Sequence, residues 1–212
     1  FREYDIRGIA DKDLTDSAVS DIANALAVFY QNKGVQKISL GRDCRLSSDR
    51  IYSLLSETFL QSGFDVVEIG LVPTPLLYFS VFHLKVDAGV MVTGSHNPPD
   101  QNGLKIAFGK STIYGDDIQQ IKNLALKKAK VQTKQRGKKT SVEVISPYLD
   151  YVYENVRKPL EIKVVVDSGN GMGGIVGPEL YRRIGCEVVE LYSDLDGRFP
   201  NHHPDPTVLE NL

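Results

Sequence analysis

Between Leu14 and Gly34 the apolar residues Val19, Ile22, Leu26 and Phe29 recur at three- and four-residue spacing, which places them on one face of a helix. Thr15, Asp16 and Ser17 precede them as capping side chains, and Gly34 follows as a stop. "QKISLGRD" then predicts a short buried strand, "SSDRIYSLLSETFLQSG" a helix closed by Gly63, and "FDVVEIG" a second strand. "VDAGVMVTG" and "LKIAF" predict two more strands. "GDDIQQIKNLALKKA" predicts a helix with Asp at its start and Lys at its end, as the helix dipole favours.

The next stretch, "KKAKVQTKQRGKKTS", is strongly basic but has neither regular apolar spacing nor interleaved aromatics, so it reads as a solvated loop rather than a nucleic-acid surface. A domain boundary is expected near Thr140. Beyond it "SPYLDYVYENV" predicts a connecting helix, and "EIKVVVDSGNGMGGIVGPELYRRIGCEVVELY" runs strand, glycine-rich turn, helix, strand. The two halves share a pattern: Gly63 opens "GFDVVEI" and Gly185 opens "GCEVVEL", each after an amphipathic helix and, before that, an apolar strand. Two copies of one α/β unit account for this, since alternating strands and helices build sheets covered on both faces.

Composition fits that picture, with 42% hydrophobic and 25% charged residues in 212. A net charge of −2 gives no global attraction to nucleic acid or acidic lipid, so any anion site must be local. Two cysteines, Cys44 and Cys186, indicate no disulfide framework, and no apolar run approaches the roughly 20 residues a membrane-spanning helix needs.

The candidate chemistry centres on "TGSHNPPDQNGLKI" (93–106). Pro98 and Pro99 cannot continue a helix or a central strand, so Ser95 is forced into a turn at the end of a strand, where open α/β sheets carry their sites. Serine alone is a weak nucleophile. His96 follows it directly, but the glycine pattern of a hydrolase elbow is missing. A phosphorylated Ser95 suits the context better, because a phosphoserine carries nearly two negative charges and calls for basic partners or a metal. Arg7, Arg42 and Lys105 are the candidate partners.

Two other motifs compete. Gly169, Gly171 and Gly174 have the spacing of a dinucleotide-binding turn, with Glu190 ending the next strand where a ribose-binding acid would stand. A structural turn is preferred, since one half-fold does not make a dinucleotide site. Asp194, Asp196, His202 and His203 lack calcium-loop and zinc spacings and read as part of a proline-stiffened loop.

The ordered series "YDIRG", "GRDCRLSS", "VPTPLLY", "TGSHNPPDQNGLK", "VVVDSGNGMGG" and "FPNHHPDP" resembles the α-D-phosphohexomutases over the whole chain, most closely the bacterial phosphomannomutase/phosphoglucomutase group. The resemblance implies two tandem, related α/β/α three-layer domains with mixed sheets, residues 1–140 carrying the phosphoserine loop and 141–212 forming an incomplete second domain. It further implies a cytoplasmic enzyme that moves phosphate between C1 and C6 of a hexose through phosphorylated Ser95 and a hexose 1,6-bisphosphate, with glucose 1,6-bisphosphate as activator. Mg²⁺ would touch a phosphoserine oxygen of Ser95. Carried over, Ser95, His96, Arg7 and Lys105 are catalytic, and Tyr4, Arg7, Asn97 and Lys105 contact substrate. Lysine is the expected proton carrier, because arginine keeps its charge.

The family's aspartate metal loop, sugar-selecting loop and phosphate-clamping segment have no counterpart before Leu212, and "DLDGR" (194–198) is not that metal loop. Implied partners are hexose phosphates and the family's C-terminal domains, with no nucleic acid and no membrane. Little turnover is expected from these residues alone. Phosphoglucosamine mutase, a non-catalytic hexose-phosphate-binding paralogue and a dinucleotide-dependent oxidoreductase are the alternatives.

Overall fold

The computed structural model describes residues 1–156, 159–205 and 207–211. Thr15 caps α1 (Asp16–Asn32), its hydroxyl accepting from the Ala18 N–H at 3.3 Å. Val19, Ile22, Leu26 and Phe29 are buried, and Gly34 beyond the helix lies at φ +75°. The pattern-derived elements follow in order: β2 (Lys37–Arg42), α2 (Ser48–Gln61), β3 (Asp65–Leu71), β4 (Ala88–Val92), β5 (Gln101–Phe108) and α4 (Asp116–Leu126). After them come α5 (Ile145–Asn155), β8 (Lys163–Asp167), α6 (Gly177–Arg183) and β9 (Glu187–Leu191).

Beyond that pattern, besides 3₁₀ turns at Met172–Ile175 and Leu209–Asn211, the described residues form β1 (Ile6–Ile9), α3 (Thr74–His83), β6 (Ser111–Thr112) and β7 (Lys139–Ser141). The last changes the reading of the basic stretch, whose end pairs in parallel with β3 as an edge of the first sheet. Residues 140 and 141, between which the expected domain boundary falls, both belong to this strand. Arg136 in the same stretch reaches Glu57 on α2 through two bonds of 2.7 Å.

The first sheet has the order β1-β5-β4-β2-β3-β7, with β6 attached to β5. β4, β2, β3 and β7 run parallel, and β5 is antiparallel to β1 and β4, so the sheet is mixed. Ile38, Leu40 and Val66 face one way, into a core with Leu26 and Phe29 of α1, Leu55 and Phe59 of α2, and Ile118 and Ile121 of α4. Val67, Ile69 and Met91 face the other way, onto Leu76, Leu77 and Val81 of α3, with α5 packed beside them. Each such fully buried aliphatic side chain contributes about 2 kcal/mol by leaving water, and the two cores make this unit a three-layer α/β/α sandwich.

The repeat is geometric as well as sequential. Gly63 and Gly185 lie at φ +91° and +96°, a region open to glycine at little cost. In both copies the next residue, Phe64 or Cys186, is buried and bonds back into the preceding helix, to Phe59 and Tyr181 respectively. The strand pairs β2–β3 and β8–β9 are both parallel, beginning at Lys37 opposite Asp65 and at Lys163 opposite Glu187. β8 and β9 are the strands of the second sheet among the described residues. No described helix is long and apolar enough to cross a membrane.

Candidate active site

β2, β3, β4 and β8 all end at one place. The residues after them, together with the 193–205 loop, enclose a cavity of about 210 Å³ lined by Asp43, Cys44, Thr74, Ser95, Met172 and Phe199 among others. Larger hollows lie elsewhere, for example about 400 Å³ beside Tyr78, Phe82 and Tyr114. The cavity at the strand ends is the one into which three parallel strands of the first sheet deliver their following loops, Ser95 among them.

Ser95 lies at φ +56°, a left-handed conformation uncommon for a residue with a side chain and typical of sites where the surroundings impose it. Its N–H donates to Thr93 Oγ1 at 2.9 Å, and the Asn97 N–H closes the turn onto the Gly94 carbonyl at 3.0 Å. Among the described residues the Ser95 hydroxyl has one neighbour within bonding range, His96 Nδ1 at 3.4 Å, too long for a strong bond.

Arg45, which the sequence reading did not select, holds this turn from beneath. Its side chain is fully buried. Nη2 donates to the carbonyls of Ser95 (2.9 Å) and Asn97 (2.6 Å), and Nη1 to those of Pro98 (2.6 Å) and Gln101 (3.0 Å). A Cβ on Gly94 would stand 2.5 Å from the guanidinium, so glycine is what lets Arg45 pass. Asp43 organises the approach: it accepts from the N–H groups of Arg45 and Gly94 and from the Ser48 hydroxyl, and lies 3.4 Å from Arg45 Nε. Burial lowers the Arg45 pKa, with Asp43 opposing that shift, and an arginine remains charged under both influences. The sequence signal was a glycine directly before the turn serine, with a second arginine three residues after Arg42.

The other predicted residues are placed as follows. Arg7 stands opposite Gly103 in the antiparallel β1–β5 pair, and Lys105 pairs with Met91 on β4, so Arg7, Gly103, Lys105 and Met91 share one face of the sheet. That is the α3 face, where Met91 lines the cavity. Gly103 lets β1 approach, since a Cβ there would stand 2.2 Å from the Ile6 carbonyl, with Arg7 Cγ next at 3.2 Å. Arg7 Nε bonds Asp5 at 2.6 Å and its Nη1 bonds Asn97 at 2.5 Å. Lys105 Nζ stands 5.8 Å from the centre of the exposed Tyr4 ring. Arg42 is engaged elsewhere, with Nε on Asp49 at 2.8 Å and its guanidinium over Tyr52.

The glycine-rich turn is filled by protein. The buried Asn170 donates to the Asp194 carbonyl at 2.9 Å and accepts from Asn201 at 2.7 Å. A Cβ on Gly174 would strike the Ser193 carbonyl at 2.2 Å, and one on Gly169 the His202 ring at 2.9 Å. These glycines serve close packing against the 193–202 loop, in keeping with the structural reading. His202 bonds Asp167 at 2.9 Å, and Asp196 is held by Arg198 at a pKa of about 2. Pro206 lies outside the described residues. Burial, aided by Asp43, pushes the Cys44 thiol up to about 11, so it is un-ionised near neutrality.

Comparison with known proteins shows the family. Residues 1–132 match the model of phosphoglucomutase/phosphomannomutase α/β/α domain I, and residues 146–212 that of domain II. Over all 212 residues the chain is 42% identical to a phosphoglucomutase of Neisseria gonorrhoeae and 38% identical to a phosphomannomutase/phosphoglucomutase of Pseudomonas aeruginosa, covering 46% and 45% of them. A phosphoglucomutase/phosphomannomutase family structure from Burkholderia thailandensis superposes with a TM-score of 0.91 at 36% identity, covering all of this chain and 47% of that one. The chain thus spans about half the length of the curated relatives it matches.

Proposed function

Because the chain belongs to the phosphoglucomutase/phosphomannomutase family, we propose that it supplies the phosphate-carrying part of an enzyme that interconverts hexose 1-phosphate and hexose 6-phosphate. The observation that carries the proposal is Ser95: a hydroxyl with one weak neighbour, on a left-handed residue clamped from beneath, opening into a cavity at the strand ends.

The chemistry is two phosphoryl transfers. In the first, the P–Oγ bond of phosphorylated Ser95 breaks, a P–O bond to the free sugar hydroxyl forms, the hydroxyl proton goes to a base, for which Lys105 is proposed, and the departing Ser95 Oγ takes up a proton to become a hydroxyl. The resulting hexose 1,6-bisphosphate re-enters reversed. Its other P–O bond then breaks, the P–Oγ bond re-forms as the Ser95 hydroxyl gives up its proton, and the departing sugar oxygen takes the proton back from Lys105. Arg7 offsets phosphate charge, Tyr4 and Asn97 contact substrate, and His96 borders the serine. Such transfers need positioning and charge stabilisation more than covalent chemistry from the protein.

Mg²⁺, with glucose 1,6-bisphosphate as the activator that loads Ser95, belongs to the same proposal by family likeness. Among the described residues no group of three or more His, Cys, Asp and Glu side chains can hold a metal. The described residues therefore do not fit a metal centre of their own. The reading includes a cytoplasmic setting and packing against C-terminal domains like those of the longer relatives.

The test is steady-state turnover of the full-length protein on glucose 1-phosphate, mannose 1-phosphate and glucosamine 1-phosphate. Turnover of the glucose or mannose ester that falls at least about 10³-fold in Ser95→Ala supports the proposal. Turnover of the glucosamine ester alone would transfer it to phosphoglucosamine, and turnover unaffected by Ser95→Ala would overturn it.

A further inference from the structure

Three non-glycine residues with positive φ surround the Cys44–Arg45 turn: Ser95 at +56°, Asn170 at +59° and Phe199 at +52°. The last two belong to the second unit. The Phe199 ring lies over the Arg45 guanidinium, 5.0 Å from Cζ to centroid, and is nearly buried. Beside it Gly197 packs so closely on the turn that a Cβ would stand 2.3 Å from the Cys44 carbonyl and 2.8 Å from Arg45 Cα. Cys44 Sγ in turn faces the Asn170 carbonyl at 3.7 Å. The second unit is thus seated on the residue that grips the serine loop.

We infer that Arg45 is a positioning residue for the Ser95 loop and that Phe199 fixes its guanidinium, so that seating of the second unit sets the loop's conformation. The inference rests on the reading of Ser95 as the phosphate carrier. A guanidinium is planar with donors in a fixed fork, and here both Nη atoms are used on the two limbs of one loop. Lysine, with donors radiating from one point, cannot span those four carbonyls.

The clamp has a chemical consequence. No described peptide bond is cis, so drawing the Ser95 carbonyl down onto Arg45 turns the His96 N–H the opposite way, out of the clamp. That orientation offers a backbone donor on the side away from Arg45, and the buried positive charge beneath favours an anion on the serine. Phe199 presents a ring face to the cation and excludes water from it, which strengthens both the stack and the hydrogen bonds. Leucine there keeps apolar bulk but loses the ring.

The experiment is hydrogen exchange by mass spectrometry on the full-length protein, reading the amides of Gly94, Ser95 and Asn97, whose hydrogen bonds define the loop. It is paired with the rate of Ser95 phosphorylation by glucose 1,6-bisphosphate. Arg45→Lys is expected to speed exchange there by roughly tenfold or more, and Phe199→Leu by about threefold to tenfold, with β2 and β4 unchanged in both. Phosphorylation should slow in the same order while KM for the sugar phosphate holds. A merely structural role would instead raise exchange throughout the first unit.

Wild-type loop exchange in a folded Arg45→Lys, or in Phe199→Leu, would overturn the inference. Should Arg45→Lys fail to fold, Phe199→Leu decides by the same signature. A wild-type protein that takes no phosphate on Ser95 would contradict the functional reading, while the exchange data would still judge the clamp.

Discussion

Nη1 of Arg7 donates to Oδ1 of Asn97 at 2.5 Å, joining side chains 90 residues apart in sequence. Asp5 fixes the same guanidinium through Nε, and Asn97 extends the restraint to Gln101 Oε1 at 2.7 Å. β1 is thereby tied to the serine loop. A side chain that reads in the sequence as a phosphate binder is also part of the loop's frame.

Arg7→Lys keeps the charge and loses the fork. The full-length variant is expected to lose about ten- to a hundredfold in kcat/KM, the loss of one charge-assisted hydrogen bond at a positioned group. Steady-state kinetics measures this, and a wild-type value would remove Arg7 from both roles.

The left-handed backbone at Ser95 predicts an unusual order of stability. Glycine adopts this conformation freely whereas alanine pays the steric cost of its Cβ, so Ser95→Gly should be more stable than Ser95→Ala by about 1 kcal/mol. Urea unfolding of the two variants tests it, with neither able to carry phosphate. Equal stability would mean that the surroundings do not hold residue 95 in this conformation.

Gly94→Ala places a methyl group 2.5 Å from the Arg45 guanidinium and 2.8 Å from the Gln101 carbonyl. Arg45 is enclosed and cannot swing aside, so a loss of about 1–3 kcal/mol is expected from overpacking. A lowered Tm would show it; an unchanged Tm would mean the turn yields without loss.

The bonds of His202 to the His203 carbonyl and to Asp167 raise its pKa above 6.5. A folded-state value above the unfolded one adds stability that is fully present below pH 6.5 and is lost as pH rises through the raised value. His202→Gln should therefore destabilise most at acidic pH and progressively less as pH rises, by no more than about 1 kcal/mol for a partly exposed pair. Urea unfolding at a series of pH values checks this. A difference independent of pH would contradict it.

The helices α1 and α2 were legible because their apolar residues follow one period and their ends carry caps or glycine. The repeat was legible because Gly63 and Gly185 perform the same backbone task before matching strands. α3 was not: "TPLLYFSVFH" is largely apolar, with Leu76, Leu77, Ser80 and Val81 buried, so it has little contrast between faces to read. β1 has four residues and takes its pairing from β5, a partner no local pattern reveals. Within the site, Ser95 was read from its turn and Arg7 and Lys105 as basic candidates, whereas His96, Asn97 and Tyr4 came from the family resemblance. Arg45 was missed because an arginine in a polar turn looks solvent-facing, whereas the fold buries it under carbonyls that come from Ser95 to Gln101. Arg42, three residues earlier, carried the clearer sequence signal and turned out to pair with Asp49.

The most direct test of the central claim is phosphopeptide mapping of the full-length protein after incubation with glucose 1,6-bisphosphate and Mg²⁺, beside Ser95→Ala. The account predicts one phosphate, on Ser95, absent from the variant and discharged when a hexose monophosphate is added. An unmodified Ser95, or equal labelling of the variant, would contradict it.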